Sequence, residues 1–216
     1  MKKILLLSGL TAAIGFTAQG ALYVTNWSNG FAHGTTIPDN NYSGWTDTRT
    51  VSATAGTINS ISVTLNLAGG WNGDLYAYLL HDAGFSVLLD RVGYSGSGYG
   101  YGDSGFDVTL SATGNPIESY QSHSPTFNEA GQLQGTWQAH SGLGSFIGLD
   151  PSGTWTLFVA DLSGGGVTTV QSWGLQMDIV AVPEVEAWIA AALAGAFGAF
   201  WLNRQIWKGI KPRRED

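Results

Sequence analysis

The chain has 216 residues with thirty-one glycines, nine tryptophans, no cysteine and only 12% charged residues, enough for one domain plus processing segments. The missing thiols exclude cysteine nucleophiles, thiolate metal sites and disulfide staples. Of the nine basic residues, Lys2 and Lys3 open the chain and Arg204, Lys208, Lys211, Arg213 and Arg214 close it. Between Ala21 and Pro183 only Arg49 and Arg91 face twelve carboxylates. A nucleic-acid partner is excluded on that balance, because phosphate binding needs a basic face.

In chain order, Met1 to Gly20 has two lysines, an apolar run from Ile4 to Phe16 and the small-residue end Ala18-Gln19-Gly20. That order predicts a secretory signal peptide cut between Gly20 and Ala21, and export without disulfides suits a bacterium of Gram-negative type. Residues 21–181 predict one domain. Ala21 to about Thr50 is rich in Asn, Gly, Ser, Thr and Trp and predicts short edge strands and loops. Ser60 to Leu67 alternates strictly, with Ile61, Val63, Leu65 and Leu67 on one face, which predicts a half-buried strand.

The turn Gly69 to Asp74 leads to a predicted strand at Leu75–Leu80, and His81-Asp82-Ala83-Gly84 leads to another at Phe85–Leu89, as a meander. Gly93 to Gly105 is a Gly, Ser and Tyr loop, followed by a strand at Phe106–Leu110. Gly114 to Gly144 is mostly connection. Strands follow at Thr154–Val159 and about Val170–Ile179, the latter placing Trp173, Leu175, Met177 and Ile179 on one face. Strands at this spacing without helical periods predict an all-β antiparallel sandwich.

Residues 182–216 change character. Val182-Pro183-Glu184 precedes an uncharged run from Ala187 to Leu202 and a basic end over 204–214. A membrane-crossing helix over 187–207 is predicted, with the trailing positive charges on the cytoplasmic side and the β domain outside. Ala187, Ala191, Gly195 and Ala199 recur every four residues, a small-residue stripe of the kind that lets helices approach closely.

This tail resembles a PEP-CTERM sorting signal, whose short motif, single helix and basic end occur here in the same order. Val185 stands where a second proline is usual. The resemblance implies cleavage near Pro183-Glu184 by an exosortase-type membrane enzyme, with an inner-membrane intermediate and delivery to the cell surface or extracellular matrix. A second resemblance covers about Ile61 to Ile179, carried by Gly73-Asp74-Leu75-Tyr76-Ala77-Tyr78-Leu79, Leu88 to Gly93, Gly153-Thr154-Trp155-Thr156-Leu157 and Ser172-Trp173-Gly174-Leu175. These stretches resemble the P domain (P/Homo B) found beside subtilisin-like proprotein convertases. Gly70-Trp71 departs from the His or Thr more often found before the Gly-Asp-Leu. The resemblance implies a jelly-roll-like, galactose-binding-like β-sandwich that serves a neighbouring protease.

No catalytic site is predicted. The domain has no room for a subtilisin unit beside the sandwich, and no serine lies in a G-x-S-x-G context. His33, His81, His123 and His140 lack zinc-site spacing and are read as loop residues. Calcium is the candidate cofactor, with Asp74, Asp103 and Asp161 as ligands because carboxylates where strands meet loops suit a hard cation. The same carboxylates also suit capping of their own turns. Trp71, Tyr94, Tyr99 and Tyr101 lie in glycine-rich loops and are candidates for stacking on sugars. The function expected is a noncatalytic, surface-sorted module whose partner is an extracellular polysaccharide or a surface protein. Its rivals are an accessory unit acting on a serine endopeptidase in trans, a divergent hydrolase and a lectin-like module.

Overall fold

The computed structural model describes residues 20–181 and 185–209, with side chains over 20–181 and 192–204. Ten strands form two sheets. One sheet contains β1 (Gly20–Trp27), β3 (Gly56–Gly69), β6 (Gly105–Pro116), β7 (Thr126–Phe127), β8 (Leu133–Gln138) and β10 (Thr168–Ala181), in the order β1-β10-β3-β6-β8-β7. The other contains β2 (Asn41–Val51), β4 (Leu75–His81), β5 (Gly84–Asp90) and β9 (Gly153–Asp161), in the order β2-β9-β4-β5. All pairings are antiparallel except β6 with β8, which is parallel.

The inward faces of both sheets share one hydrophobic cluster. The strict alternation of β3 puts Ile61, Val63, Leu65 and Leu67 in it, and β9 adds Trp155, Leu157 and Val159. Three tryptophans are almost fully buried, and each indole N–H has an acceptor. Trp45 donates to the Gly34 carbonyl at 2.8 Å, Trp155 to the Pro151 carbonyl at 3.0 Å, and Trp173 to Asp47 Oδ2 at 2.7 Å. An indole buried without an acceptor would forfeit its hydrogen bond to water, so these partners let the rings enter the core.

Three features of the sequence reading change. The predicted meander does not form: β3 belongs to the six-stranded sheet, and Gly69 to Asp74 carries the chain across to β4, so only β4 and β5 make a hairpin. β2 is an edge strand as expected but runs for 11 residues, with Trp45, Asp47 and Val51 buried. Within the stretch read as connection, β8 aligns beside β6 and Ile117–His123 forms 3-10 turns that bury Ile117 and Tyr120.

After β10, helix α1 spans Val185–Gly209. Its described side chains, 192–204, are all exposed, among them Leu193, Phe197, Phe200 and Trp201 at 54%, 72%, 68% and 62%. Among the described residues no helix is long and apolar enough to cross a membrane. The leader and Val182-Pro183-Glu184 lie outside the described residues, as do the side chains of Ala187 and Ala191 in the small-residue stripe. Gly20, at the expected cleavage junction, is the first residue of β1 and pairs with Val180.

Candidate functional site

The candidate residues collect around the loops that join the two sheets. Buried Asn72 organises them: its Nδ2 donates to the Gly105 carbonyl at 3.1 Å and to Tyr120 Oη at 3.2 Å, while its Oδ1 accepts from Gly105 N–H at 2.7 Å. Gly105 has φ of +96°, and a Cβ there would run into the Leu67 carbonyl, so only glycine lets the loop re-enter β6 at this point. Tyr120 donates to Asp103 Oδ2 at 2.7 Å, and Gln121 donates to the same oxygen at 2.7 Å. Burial and the bond to Asp103 push the Tyr120 hydroxyl well above its ordinary titration range.

Asp74 and Asp161 are brought together where β4 and β9 meet, since Leu75 pairs with Asp161 and Leu162 N–H donates to the Asp74 carbonyl at 2.9 Å. Both side chains are buried. Asp161 Oδ1 accepts from Ser163 N–H at 3.3 Å, but Asp74 Oδ1 is buried with no hydrogen-bond donor, and Arg91 Nη2 stands 3.8 Å from it. Burial raises the Asp74 carboxyl above its usual range against the pull of Arg91, and raises Asp161 to about 6, with Asp39 and Asp74 adding repulsion. Asp39 is therefore the third carboxylate of this cluster, which sequence reading missed because only the fold brings the Pro38-Asp39 turn here.

Asp103 is committed instead to Tyr120 and Gln121. Among the described residues no group of three or more His, Asp or Glu side chains is arranged to hold a metal ion.

The four aromatic candidates separate. Tyr101 packs edge-on against Tyr120 at 4.7 Å and belongs to the wall of the core. Tyr94 lies 4.1 Å beneath the Arg91 guanidinium, a cation–π contact that occupies one ring face. Trp71 and Tyr99 stay exposed, at 45% and 70%. The Gly73 N–H bond to the Tyr101 carbonyl at 2.8 Å ties the loops that carry them.

The histidines divide as well. His81, expected in a loop, is fully buried, stacked on Trp155 at 4.0 Å and bonded to the Asp150 and Thr154 carbonyls. His140 lies 3.0 Å from Glu118 and 3.8 Å from Asp90. Burial raises the Glu118 carboxyl above its ordinary range.

No family model matches the chain, and no curated protein is similar to it. Among solved structures, it is similar to a serine protease of Aeromonas sobria in complex with the chaperone, with TM-score 0.48 and 16% identity over 77% of this chain and 28% of that one. It is also similar to the serine protease of Aeromonas sobria, with TM-score 0.47 and 17% identity over 79% of this chain and 29% of that one. The chain spans less than a third of the length of these proteins.

Proposed function

We propose that the chain is an exported, noncatalytic, P-domain-like module of jelly-roll type. Its C-terminal helix holds it at the inner membrane until an exosortase-type enzyme cuts near Pro183-Glu184, sending the sandwich to the cell surface or extracellular matrix. The observation that carries this reading is α1 itself. It begins four residues after β10 ends, and its described side chains expose Leu193, Phe197, Phe200 and Trp201 together instead of packing them. Exposed apolar side chains clustered on one helix mark a contact with a partner or a membrane, and Arg204 at the distal end suits the cytoplasmic side, although the described part of α1 is not by itself long and apolar enough to cross a bilayer. Intact-mass measurement of the protein recovered from outside the producing cells tests the processing step. The expected species ends between Val182 and Val185, and secretion of the chain with α1 still attached overturns the reading.

The orphaned Asp74 oxygen favours one addition, calcium held by Asp74 and Asp161 with carbonyl oxygens of the adjoining turns. A bound cation would compensate two carboxylates whose charged forms burial penalises. At pH 7.5, calcium is expected to raise the melting temperature and a chelator to lower it, with Asp74→Asn losing the response. A melting temperature indifferent to both ions contradicts the assignment.

A further inference from the structure

The outer face of the six-stranded sheet lies apart from the loops described above and was not singled out by any motif. Two adjoining concavities of about 430 Å³ each open on it and share Gln176. Strand register explains their shape. Asn26, Gly174, Thr64, Thr109 and Thr136 fall side by side across β1, β10, β3, β6 and β8. Five strands spaced about 4.8 Å apart make this row roughly 19 Å long. Its floor is low, because Gly174 has no side chain and each threonine ends at its γ atoms.

Longer side chains wall the row. On one side the neighbouring register holds Asn66 and Asp107, and on the other it holds Gln176. The first wall is fixed from beneath. Gln132, 6% exposed, donates through Nε2 to the Leu67 carbonyl at 2.9 Å and to Asn66 Oδ1 at 2.8 Å, and Asn66 Nδ2 in turn donates to Asp107 Oδ1 at 3.3 Å. A solvated polar surface has no need of a buried amide holding its side chains in place; a binding surface gains from such preorganisation because less side-chain freedom is lost on binding.

The chemistry of this trough selects its occupant. Its uncharged polar groups are hydroxyls and amides, which donate and accept at once and match the paired donor and acceptor character of sugar hydroxyls, and they alternate with apolar side chains such as Val24 and Leu22 that suit the C–H faces of sugar rings. No lysine or arginine lines it, so an acidic polysaccharide or a nucleic acid would meet the Asp107 carboxylate without a counter-charge. The floor itself presents threonines and glycine, and the apolar residues Leu22, Val24 and Ile147 that line the concavities are aliphatic, without the Trp, Tyr or Arg that anchors a protein hot spot. We propose that this trough binds a linear, uncharged polysaccharide lying across the strands. The proposal is independent of how the chain is sorted, and it moves sugar recognition from the aromatic loops to the sheet.

The test is backbone amide NMR of the full chain, isotope-labelled and held in a detergent with no sugar headgroup. Cellohexaose, mannohexaose and laminarihexaose are titrated, with hexagalacturonate as the acidic probe. Saturable shifts at Thr64, Thr109 and Thr136 are expected for at least one neutral hexasaccharide and not for the acidic one. Asn66→Ala should weaken binding about fivefold, the effect of one neutral hydrogen bond. Thr109→Trp, which fills the floor from the solvent side, should abolish it, and Trp71→Ala should leave it unchanged. If Thr109→Trp does not keep the wild-type spectrum outside the trough, Asn66→Ala decides alone. The proposal is overturned by no saturable shift with any neutral probe, by shifts centred on Trp71 and Tyr99, by equal binding of the acidic probe, or by unchanged affinity in Asn66→Ala.

Discussion

At the residue scale the core depends on a few buried polar contacts. Asp47 Oδ2 accepts both from the buried Trp173 indole at 2.7 Å and from Arg49 Nε at 2.6 Å, and Arg49 in turn lies 5.2 Å from the Phe31 ring. Removing the carboxylate leaves an indole N–H without an acceptor inside the sandwich. Asp47→Ala is therefore expected to destabilise the fold by about 2–3 kcal/mol, and Asp47→Asn, which keeps an acceptor oxygen, by less. Urea unfolding followed by tryptophan fluorescence measures both, and equal losses would show that the carboxylate charge beside Arg49, not the acceptor oxygen alone, matters.

The carboxylate pair makes a prediction of opposite character. Asp161 titrates at about 6 in the folded chain against 3.8 ordinarily. Between those values the folded state binds the proton that the unfolded chain has lost, so stability falls as pH rises. This contribution is fully present below about pH 4 and gone above about pH 6. In the presence of chelator, Asp161→Asn should flatten the stability profile across that window. A wild-type profile without this fall would show that the carboxyl is not held protonated.

At the element scale, the stretches with clean alternation were legible from sequence: Ile61–Leu67 of β3, Trp155–Val159 of β9 and Trp173–Ile179 of β10 have regular apolar faces, and the Leu75–Leu80 and Phe85–Leu89 hairpin has a recognisable turn. β2 was partly hidden because its inward face mixes Trp45 with Asp47 and Arg49, a polar pair that makes sense only once Trp173 is seen opposite. β8 was invisible, since Gly135 and two glutamines carry no strand signal and its parallel pairing with β6 is set by distant parts of the chain. The carboxylate cluster was half legible: Asp74 and Asp161 stood out at strand ends, whereas Asp39 joins them only through the fold, and Asp103 answers to Tyr120 instead. The trough was not legible at all, because a row across five strands has no sequence period.

Close packing of elements gives a further test. A Cβ on Gly174 would collide with the Thr25 carbonyl of β1 and stand 2.8 Å from Thr64 Oγ1. Gly174→Val should push β1 from β10 and remove hydrogen-exchange protection from the amides of Tyr23 and Thr25 while the β3 amides keep theirs. Uniform loss across the sheet would mean that β1 is not a separable edge.

At the scale of the whole molecule, an acidic, thiol-free sandwich is followed by an apolar helix whose described side chains have no cover. The sandwich satisfies its own apolar surface in one core, whereas the described side chains of α1 are exposed, and that contrast is what the proposed membrane-held intermediate rests on. The most direct measurement is fractionation of producing cells that make either the wild-type chain or a Leu193→Asp, Phe197→Asp variant, followed by immunodetection of the unprocessed form. Wild-type precursor recovered with inner membranes and released only by detergent, with the variant released by buffer, is the predicted result. Wild-type precursor released by buffer alone would contradict the membrane-held intermediate.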